Sequence, residues 1–502
     1  MSQPPRADLV PNSWDFETSA QIKPTGFREY DARWWFGHPG SDKTPEINLY
    51  GIQALGLGLG TLIHELGVEP EIVTGHDFRG YSLGVKQALM VGLMSAGIKV
   101  HDIGLALSPT AYFAQFDLDI DCVAMVTASH NSNGWTGVKM GVEKALTFGP
   151  DEMARLKEIV LKGEGVTRPG GGYVREEGVA QRYLADLSDG VIITRPLKVV
   201  AACGNGTAGA FAPKALAAMG VEVIPLDCEL DHTFPRYNPN PEDMKMLHAL
   251  RDAVLEHKAD VGLAFDGDGD RCGVVDNEGE EIFADKVGLM LARDLSARHA
   301  NAKFVVDVKS TGLFLTDPVL KQNNATTEYW KTGHSYIKRY SKQTGALVGF
   351  EKSGHFFFQP PLGRGYDDGI VAARAVLDML DRNPGQTMAD MRRALPVSFS
   401  SPTMSPACTD EEKYAIVDQI AEAYKARSEI LGRKVRDVLT VNGVRFTLED
   451  GAWGLVRASS NTPNLVIVVE SPNSAEDMKA IFRDIQTELA KHPEIGAFDQ
   501  EL

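Results

Sequence analysis

Short apolar runs alternate along the chain with longer stretches in which apolar residues recur at helical spacing. Over 71–100 the pattern gives an apolar strand, a helix that stops at Gly97 and a second strand. The same order returns over 199–224, with its stop at Gly220, and a third, less complete copy begins at 304–308. A strand, a helix and a second strand in succession predict βαβ units, so this part of the chain should form parallel sheets.

The pattern changes after Pro402. Alternating apolar and polar residues flank Asn442-Gly443, which predicts a β-hairpin, and an apolar strand over 465–469 and a helix over 475–489 follow. This end of the chain is therefore predicted to be α+β. Boundaries near residues 172, 282 and 400 divide the chain into the predicted segments 1–172, 173–282, 283–400 and 401–502.

Length and composition exclude several classes of protein. At 502 residues the chain is too long for one core, so three or four domains are expected. No apolar run approaches the roughly 20 residues that a membrane helix needs. The segment Met1–Pro5 lacks the charged and then apolar order of a signal peptide. We therefore expect a soluble, cytoplasmic protein.

Net charge limits the possible binding partners, and the cysteine pattern limits the possible disulfides and metal sites. The formal charge of -17 opposes a nucleic-acid or anionic-membrane partner, so an anionic substrate would need a local basic pocket. The five cysteines are scattered, odd in number and never spaced as C-x-x-C. This spacing argues against a disulfide framework or a zinc site, and we expect small core residues instead. The sequence does not indicate an oligomeric state.

Three carboxylates and a guanidinium lie together in Asp266-Gly267-Asp268-Gly269-Asp270-Arg271, directly after a predicted buried strand. The glycines let the loop fold so that alternate carboxylates face one point, and oxygen ligands favour Mg²⁺ or Ca²⁺. An EF-hand is disfavoured, because its sixth position needs glycine and its twelfth needs glutamate. In this chain those positions hold Arg271 and Asn277. A surface turn rich in acids remains the alternative, although such close carboxylates repel one another without a counterion.

A second candidate is the loop Thr127-Ala128-Ser129-His130-Asn131, which follows a short apolar strand. A serine at a strand end, next to an imidazole and ten residues before Lys139, would suit a nucleophile that accepts and donates a group. The same residues are also good turn formers, and on this segment alone a turn is the favoured interpretation. A Ser-His-Asp hydrolase is disfavoured, because no G-x-S-x-G elbow is present and adjacent serine and histidine should not easily reach the geometry of a base.

Glycines in Gly204-Asn205-Gly206-Thr207-Ala208-Gly209 follow a strand, open a helix and precede Asp227. This spacing satisfies the dinucleotide-binding fingerprint, so a nicotinamide-dependent oxidoreductase is the alternative from another functional class. Such an enzyme would leave the Asp266 loop and Ser129 without a role. A tight turn between strand and helix is therefore preferred.

Two further loops carry polar side chains between predicted strands. Residues 349–355 place a carboxylate, an amine, a hydroxyl and an imidazole together, which can bracket sugar hydroxyls. Residues 457–463 offer a guanidinium, hydroxyls and an amide, a plausible phosphate cradle. Each is also compatible with an ordinary polar turn. The segment Asp367-Asp368-Gly369 is interpreted as a helix N-cap ahead of a helix over 370–380.

Together these motifs resemble the α-D-phosphohexomutase superfamily, and most closely its bacterial phosphomannomutase/phosphoglucomutase members. Residues 127–131 are similar to the family's phosphoserine loop, 266–271 to its metal loop, 351–355 to its sugar-recognition loop and 457–463 to its phosphate-binding loop. The four motifs occur in the family's order and span nearly the whole chain. The resemblance implies four domains around a central cleft: three related α/β domains with mixed sheets and a C-terminal α+β domain.

The resemblance also implies roles for individual residues. Ser129 would carry a phosphoryl group and, with Asp266, Asp268 and Asp270, hold Mg²⁺. The residues implied in catalysis are Ser129, His130, Lys139, Arg271, His355 and Arg33, and His355 or His130 would move the proton. The residues implied in substrate binding are Tyr30, Lys309, His334, Glu351, Ser353, Arg457, Ser459, Asn461 and Thr462.

On this basis we expect a Mg²⁺-dependent isomerase that interconverts hexose 1- and 6-phosphates, mannose first and glucose second, through a hexose 1,6-bisphosphate. Its partners would be small sugar phosphates. Phosphoglucosamine mutase activity is an alternative, because a site that grips other hydroxyls could ignore the substituent at C2. A non-catalytic sugar-phosphate sensor and the dinucleotide-dependent oxidoreductase are the alternatives of other classes.

Overall fold

The structure is a computed structural model that describes residues 2–4, 6, 8–11 and 13–499. Met1 and Pro5, at the ends of the segment tested for a signal peptide, lie outside these residues. The chain forms two compact units. Unit 1 comprises Met1–Ala284 and Ser353–Ala389, and unit 2 comprises Asp285–Lys352 and Asp390–Leu502. Within the described residues, no helix is long and apolar enough to cross a membrane.

The α-helices of the described residues follow one another along both units. In chain order they are α1 Trp14–Thr18, α2 Leu49–Glu65, α3 Ser82–Ser95, α4 Ser108–Asp117, α5 Pro150–Lys162, α6 Val179–Ser188, α7 Ala212–Ala218, α8 Met244–His257, α9 Ala284–Ser296, α10 Leu313–Thr316, α11 Pro318–Gln322, α12 His334–Thr344, α13 Gly369–Arg382, α14 Met388–Arg393, α15 Lys413–Lys425 and α16 Ala475–Leu489. Short 3₁₀ helices cover Pro24–Gly26 and Thr207–Ala210.

The first sheet of unit 1 contains six strands in the order β1-β5-β4-β2-β3-β6. They are β1 Ala32–Trp35, β2 Glu71–His76, β3 Lys99–Leu105, β4 Cys122–Val126, β5 Trp135–Gly141 and β6 Gly172–Arg175. Strand β2 is parallel to β3 and β4, whereas β5 is antiparallel to β4 and β1, so the sheet is mixed. The predicted stop of α3 is confirmed, because Gly97 follows it with φ +83°.

Helices α2 and α3 pack unusually closely against each other because glycines lie at their contact. A Cβ on Gly56 would lie 2.1 Å from the Leu89 carbonyl oxygen, and one on Gly92 would lie 2.1 Å from that of Gln53. Apolar side chains of both helices, including Leu89, belong to the buried core of this sheet. The small residues therefore set the thickness of the helix layer behind the sheet.

The second sheet of unit 1 has the order β11-β10-β9-β7-β8. Its strands are β7 Lys198–Ala202, β8 Glu222–Leu226, β9 Val261–Phe265, β10 Cys272–Asp276 and β11 Glu281–Ile282. Strand β7 is parallel to β8 and β9, and β10 is antiparallel to β9. The helix predicted between β7 and β8 begins late, since a 3₁₀ turn ends at Ala210 and α7 begins only at Ala212, and it ends ahead of the predicted stop at Gly220.

In unit 2, β12 Lys303–Asp307 lies between β13 Thr326–Trp330 and β14 Val348–Phe350 and is parallel to both. The apolar stretch after β12 forms two short helices, because Asp317 ends α10 and caps α11 ahead of Pro318. The next strand along the chain, β15 Phe356–Phe358, belongs to unit 1.

An antiparallel sheet completes unit 2, with the order β16-β21-β20-β19-β18-β17. Its strands are β16 Phe399–Ser400, β17 Glu429–Ile430, β18 Arg433–Leu439, β19 Val444–Leu448, β20 Trp453–Ala458 and β21 Leu465–Ser471. The predicted hairpin at Asn442-Gly443 and the predicted helix over 475–489 are both confirmed. Helices α15 and α16 contribute the apolar side chains that complete its core.

Candidate active site

The serine loop begins where β4 ends and is held by groups from the neighbouring strand β2. Ser129 is 3% exposed and has φ +51°, a conformation that an L-residue adopts only when its surroundings hold it there. Its amide donates to Thr127 Oγ1 at 2.9 Å. Arg79, which follows β2 and pairs with Asp77, donates to the carbonyls of Ser129 at 3.0 Å and of Asn131 at 2.5 Å. The backbone around the serine is thus fixed from three sides.

Two side chains lie within hydrogen-bonding distance of the serine hydroxyl. Ser129 Oγ is 3.1 Å from Asp266 Oδ2 and 3.2 Å from His130 Nδ1. The hydroxyl and the adjacent imidazole therefore lie within hydrogen-bonding distance of each other, and the backbone between them is left-handed at Ser129. Burial, together with the charges of Arg271 and Arg33, holds the pKa of His130 well below its usual range, so the imidazole is neutral.

The acidic loop lies between β9 and β10, which pair antiparallel from Phe265 and Cys272 onward. The carboxylates of Asp266, Asp268 and Asp270 are buried, and their oxygens converge within 4.8 Å. The amides of Asp270 and Arg271 donate to Asp266 Oδ1 at 3.0 and 3.2 Å, which closes the loop on itself. The three aspartates that the sequence grouped are therefore brought together.

Lys139, on β5 of the other sheet, reaches into the acidic loop. Its ammonium donates to Asp268 Oδ2 at 2.7 Å and also to Asp270. Burial alone would lower the pKa of Lys139, but these two carboxylates outweigh burial and hold it well above the usual range. Burial and the neighbouring charges of Asp270 and Asp268 raise the pKa of Asp266 well above its usual range. The charge of Lys139 thus offsets the charges of Asp268 and Asp270, whereas Asp266 favours its protonated form.

The acidic loop suits a hard divalent cation. Its donors are carboxylate oxygens, which Mg²⁺ and Ca²⁺ prefer, and a cation would offset the burial and the carboxylate repulsion that raise the pKa of Asp266. In addition, Asp268 Oδ1 is buried and has no hydrogen-bond partner within the described residues, so a coordination position is left over. The residues present therefore fit a metal ion.

A second group of polar side chains extends from the acidic loop. His355 Nε2 lies 3.3 Å from Asp270 Oδ1 and 3.3 Å from Arg271 Nε, and Asp367 Oδ2 lies 3.8 Å away. Ser353 Oγ is 3.1 Å from His355 Nδ1. The imidazole thus contacts both a carboxylate of the acidic loop and the guanidinium of Arg271, which the resemblance implied in catalysis.

Arg33 approaches the serine loop from β1. Its guanidinium donates to the Thr127 carbonyl at 3.1 Å and pairs with Asp31 at 2.8 Å. Burial alone would lower the pKa of Arg33, but Asp31 and the carboxylates of the acidic loop raise it above its usual value. Tyr30 is buried, with 4% of its surface exposed.

Two residues that hold the serine loop were not assigned a role from the sequence. Arg79 donates to the carbonyls of Ser129 and Asn131, and Asp77 accepts from the Ala128 amide.

In unit 2, three predicted substrate-binding residues follow three parallel strands. Lys309 comes after β12, His334 after β13 and Glu351 after β14, so all three lie at one edge of the sheet. All three are buried, and Glu351 Oε1 accepts a 2.5 Å hydrogen bond from the Gly333 amide. Ser353, which the sequence grouped with Glu351, belongs to unit 1.

The predicted phosphate-binding loop connects β20 and β21. Ser459 Oγ and Thr462 Oγ1 lie 2.8 Å apart, and Lys413 donates to both of their carbonyls, at 2.6 and 3.1 Å. Arg457 donates to the Ala458 carbonyl at 2.8 Å. Asn461, at the tip of the loop, is exposed. Lys413 was not found from the sequence, since nothing in its helical segment distinguishes it from a surface lysine.

Asn442 connects this loop to the neighbouring sheet of unit 2. Its Oδ1 accepts from Arg457 at 3.3 Å and from the Thr332 amide at 3.2 Å. The sequence assigned Asn442 only to a hairpin turn. The candidate phosphate loop and the loop before His334 are therefore joined through one side chain.

The groups of the glycine-rich loop after β7 that could bind a dinucleotide are hydrogen-bonded within the chain. The Thr207 amide donates to the Gly267 carbonyl at 3.0 Å, and the Asn205 amide donates to that of Asp227 at 2.6 Å. The Asp227 carboxylate, which a dinucleotide site would turn to a ribose, instead accepts from Arg236 at 2.8 Å. These contacts favour the tight turn over a dinucleotide site.

Comparison with protein families gives a match in four consecutive segments. Residues 25–166, 181–279 and 283–399 match the phosphoglucomutase/phosphomannomutase alpha/beta/alpha domains I, II and III. Residues 407–488 match the C-terminal domain of the same family. The four segments together cover most of the chain.

Individual relatives agree with this match. The chain is 35% identical over 460 residues to a phosphomannomutase/phosphoglucomutase of Pseudomonas aeruginosa, covering 91% of this chain and 94% of the relative. It superposes on a phosphoglucomutase/phosphomannomutase family protein from Burkholderia thailandensis with a TM-score of 0.82 and 28% identity, covering 95% and 99% of the two chains.

A more distant structure shares the fold. It is an N-acetylphosphoglucosamine mutase of Aspergillus fumigatus, solved in complex with GlcNAc-6P and magnesium. Its TM-score is 0.54 at 13% identity, and the match covers 87% of this chain and 96% of the other.

Proposed function

Because this chain belongs to the phosphoglucomutase/phosphomannomutase family, we propose that it is an isomerase that interconverts hexose 1-phosphates and hexose 6-phosphates, mannose first and glucose second. The observation that carries the proposal is the 3.1 Å contact between Ser129 Oγ and the carboxylate of Asp266 in the three-aspartate loop. A hydroxyl fixed beside a cation site is what a phosphoryl carrier requires.

In the proposed reaction, Ser129 carries a phosphoryl group and passes it to a hydroxyl of a hexose monophosphate. The resulting 1,6-bisphosphate turns around and returns its other phosphoryl to Ser129. The chemistry needs alignment and neutralisation of charge more than covalent catalysis. Lys139 and Arg271 supply fixed positive charge within the buried site.

A metal ion would supply further positive charge where negative charge develops on the phosphoryl oxygens. Asp266, Asp268 and Asp270 would hold it, together with an oxygen of the phosphorylated Ser129. Mg²⁺ is the proposed ion, since the donors are hard oxygens and the related Aspergillus enzyme was solved with magnesium.

A proton must leave the attacking hydroxyl and later reach the serine oxygen. His355 is the first candidate, because its imidazole contacts both Asp270 and Arg271. His130 is the second, since it lies against Ser129 Oγ and is held neutral. Arg33 would help to align the serine loop through the Thr127 carbonyl.

The proposed substrate-binding residues would recognise the sugar in either orientation. Glu351 and Ser353 would bind middle hydroxyls, and Lys309, His334 and Tyr30 would contact the ligand. The residues proposed to hold the phosphate that is not reacting are Arg457, Ser459, Asn461 and Thr462. Within unit 2, Asn442 joins Arg457 of the phosphate loop to the loop before His334, which supports the proposal that these two loops bind the same ligand.

The direct test is to follow mannose 1-phosphate by ³¹P NMR with Mg²⁺ and a trace of hexose 1,6-bisphosphate. Appearance of mannose 6-phosphate is expected, and glucose and glucosamine phosphates are then ranked, since phosphoglucosamine mutase activity is the nearest alternative. Release of inorganic phosphate would mean a phosphatase. No reaction with any of the three sugars would favour a sugar-phosphate sensor or, if nicotinamide cofactors raise the unfolding temperature, an oxidoreductase. The four domain segments and the cytoplasmic location stay predictions.

A further inference from the structure

Two cysteines meet at the carboxyl ends of neighbouring parallel strands in unit 1. Cys203 follows β7 and Cys228 follows β8. The Cys203 amide donates to the Leu226 carbonyl at 3.1 Å, and Cys228 Sγ lies 3.3 Å from the Ala201 carbonyl. The same Leu226 carbonyl lies 3.5 Å from Cys228 Sγ, so the two cysteines approach one backbone group from neighbouring strands.

This pair differs from the other three cysteines. Cys122, Cys272 and Cys408 are buried and far apart in the sequence, as expected for core residues. Cys228, against that expectation, is half-buried and so within reach of a small oxidant. The neighbouring Cys203 thiol lowers the pKa of Cys228, which favours its thiolate, the form that reacts with peroxides.

We propose that Cys203 and Cys228 form a reversible disulfide when the protein meets a hydroperoxide. The Cys228 thiolate attacks one peroxide oxygen, which gives a sulfenic acid and releases water or an alcohol. The sulfur of Cys203 then attacks the sulfur of Cys228, the S–S bond forms and water leaves. The two thiols lose two electrons in total, and the peroxide gains them.

The disulfide would act on the acidic loop through the turn that follows Cys203. Thr207 donates its amide to the Gly267 carbonyl and accepts from the Phe78 amide at 3.0 Å. A Cβ on Gly206 would lie 2.9 Å from the Gly267 Cα, so this turn has no room to move without displacing Gly267. Gly267 separates Asp266 from Asp268, and oxidation is therefore expected to weaken cation binding there.

The test oxidises the purified full-length protein with excess hydrogen peroxide, alkylates the remaining thiols in denaturant and maps the peptides by mass spectrometry. The expected result is the loss of two of the five thiols, a linked peptide containing Cys203 and Cys228, and recovery of both thiols with dithiothreitol. Separate alkylation of both cysteines, or oxidation of Cys228 to a sulfonic acid without a link, would overturn the proposal. This readout does not depend on the proposed mutase activity.

Matched variants test the effect on the acidic loop. Mn²⁺ binding is measured on reduced and oxidised protein, and affinity is expected to fall several-fold on oxidation. Cys203→Ser and Cys203→Ala should both abolish the link and the change in affinity, whereas Cys408→Ser should preserve both. Equal Mn²⁺ affinity in the two redox states, with the link present, would refute the coupling to the acidic loop.

Discussion

At the scale of single residues, the site rests on side chains held in positions they would not adopt alone. Ser129 has a left-handed backbone, and the carbonyls around it accept from Arg79. Lys139 is fully charged although buried, because two carboxylates surround it. Such arrangements cost stability unless the surrounding fold enforces them, and they concentrate where chemistry needs a fixed geometry.

Replacing Ser129 by alanine removes the hydroxyl that would carry the phosphoryl group. Turnover of mannose 1-phosphate is expected to fall by at least about 10³-fold, since the remaining groups can only bind and polarise. Intact-protein mass should also lose any phosphoryl adduct. Ser132→Ala, three residues along the same loop, is the control and should keep both. Near-normal turnover of the Ser129 variant would exclude the phosphoserine mechanism.

Asp268→Asn keeps the size of the side chain but removes its charge and one hard oxygen ligand. Mg²⁺ affinity and turnover should fall together, each by more than about tenfold. The measurement is the Mg²⁺ dependence of the initial rate, with Mn²⁺ binding as a readout independent of activity. Glu280→Gln, an exposed acid beyond β10, should leave both unchanged. An unaltered Mg²⁺ dependence in the Asp268 variant would place the metal elsewhere.

Asp368 makes stability depend on pH. It caps α13 through the amides of Ile370 and Val371 and accepts from Tyr183, and burial raises its pKa to about 6. Below the unfolded-state pKa near 4, the carboxyl is protonated in both the folded and the unfolded state, so its raised pKa does not change the free energy of unfolding. It destabilises the fold increasingly as pH rises from about 4 to about 6, by about 3 kcal/mol in all.

Asp368→Asn should therefore flatten the urea-unfolding free energy between pH 4 and 6 and make the protein more stable at pH 7, since asparagine is also a good N-cap. Asp243→Asn, at the more exposed N-cap of α8, is the matched control and should not remove the slope. A slope that persists unchanged in the Asp368 variant would contradict the assignment.

At the scale of elements, the packing of one helix against another overrides the intrinsic helix propensity of a residue. Gly92 and Gly84 both lie in α3, where alanine is the better helix former by about 1 kcal/mol. Only Gly92 faces the backbone of α2, at a distance that leaves no room for a methyl group, whereas a Cβ on Gly84 meets nothing within 4 Å. The same substitution should therefore have opposite effects at two positions of one helix.

Gly92→Ala is expected to destabilise the protein by more than about 2 kcal/mol, because α2 and α3 must separate. Gly84→Ala should stabilise it by about 0.5–1 kcal/mol. Urea unfolding followed by circular dichroism measures both. Equal effects of the two variants would show that the close contact between these helices is not a constraint in solution.

At the scale of the whole molecule, buried charges join segments that are distant in sequence. In unit 2, Glu470 on β21 accepts from Lys286 of α9 at 2.7 Å, from Thr311 at 2.8 Å and from Trp453 at 2.6 Å. Further donors come from Gly312 and from the serines at 398 and 400. One carboxylate thus ties the antiparallel sheet to the parallel sheet that carries Glu351.

Glu470→Gln should destabilise unit 2 by about 3–5 kcal/mol, because it leaves the Lys286 ammonium buried without its counter-charge. The expected signature is an earlier thermal transition, with proteolytic cuts appearing first within residues of unit 2. Glu429→Gln, at an exposed position of the same sheet, is the control. A single transition shifted no further than in the control would mean that the carboxylate is not needed to hold the two sheets.

Much of the fold and part of the candidate site were predictable from local sequence, because their causes are local. Residues 261–265 form a strand and 475–489 a helix as their apolar periodicity indicates, and Asn442-Gly443 turns a hairpin. Three acids on a glycine-rich loop converge because the loop is short. Likewise, the four loop motifs, taken together and in their order along the chain, were sufficient to suggest the family.

The tertiary structure alone decided which distant groups meet. Lys139 enters the acidic loop from another sheet, and Ser129 contacts Asp266 across 137 positions of sequence. The approach of Cys203 and Cys228 to the same Leu226 carbonyl requires two parallel strands to lie side by side. Hydrophobic periodicity reports which face of an element is buried but not its neighbour, so the pairing of charges, and with it their pKa shifts, follows only from the packed fold.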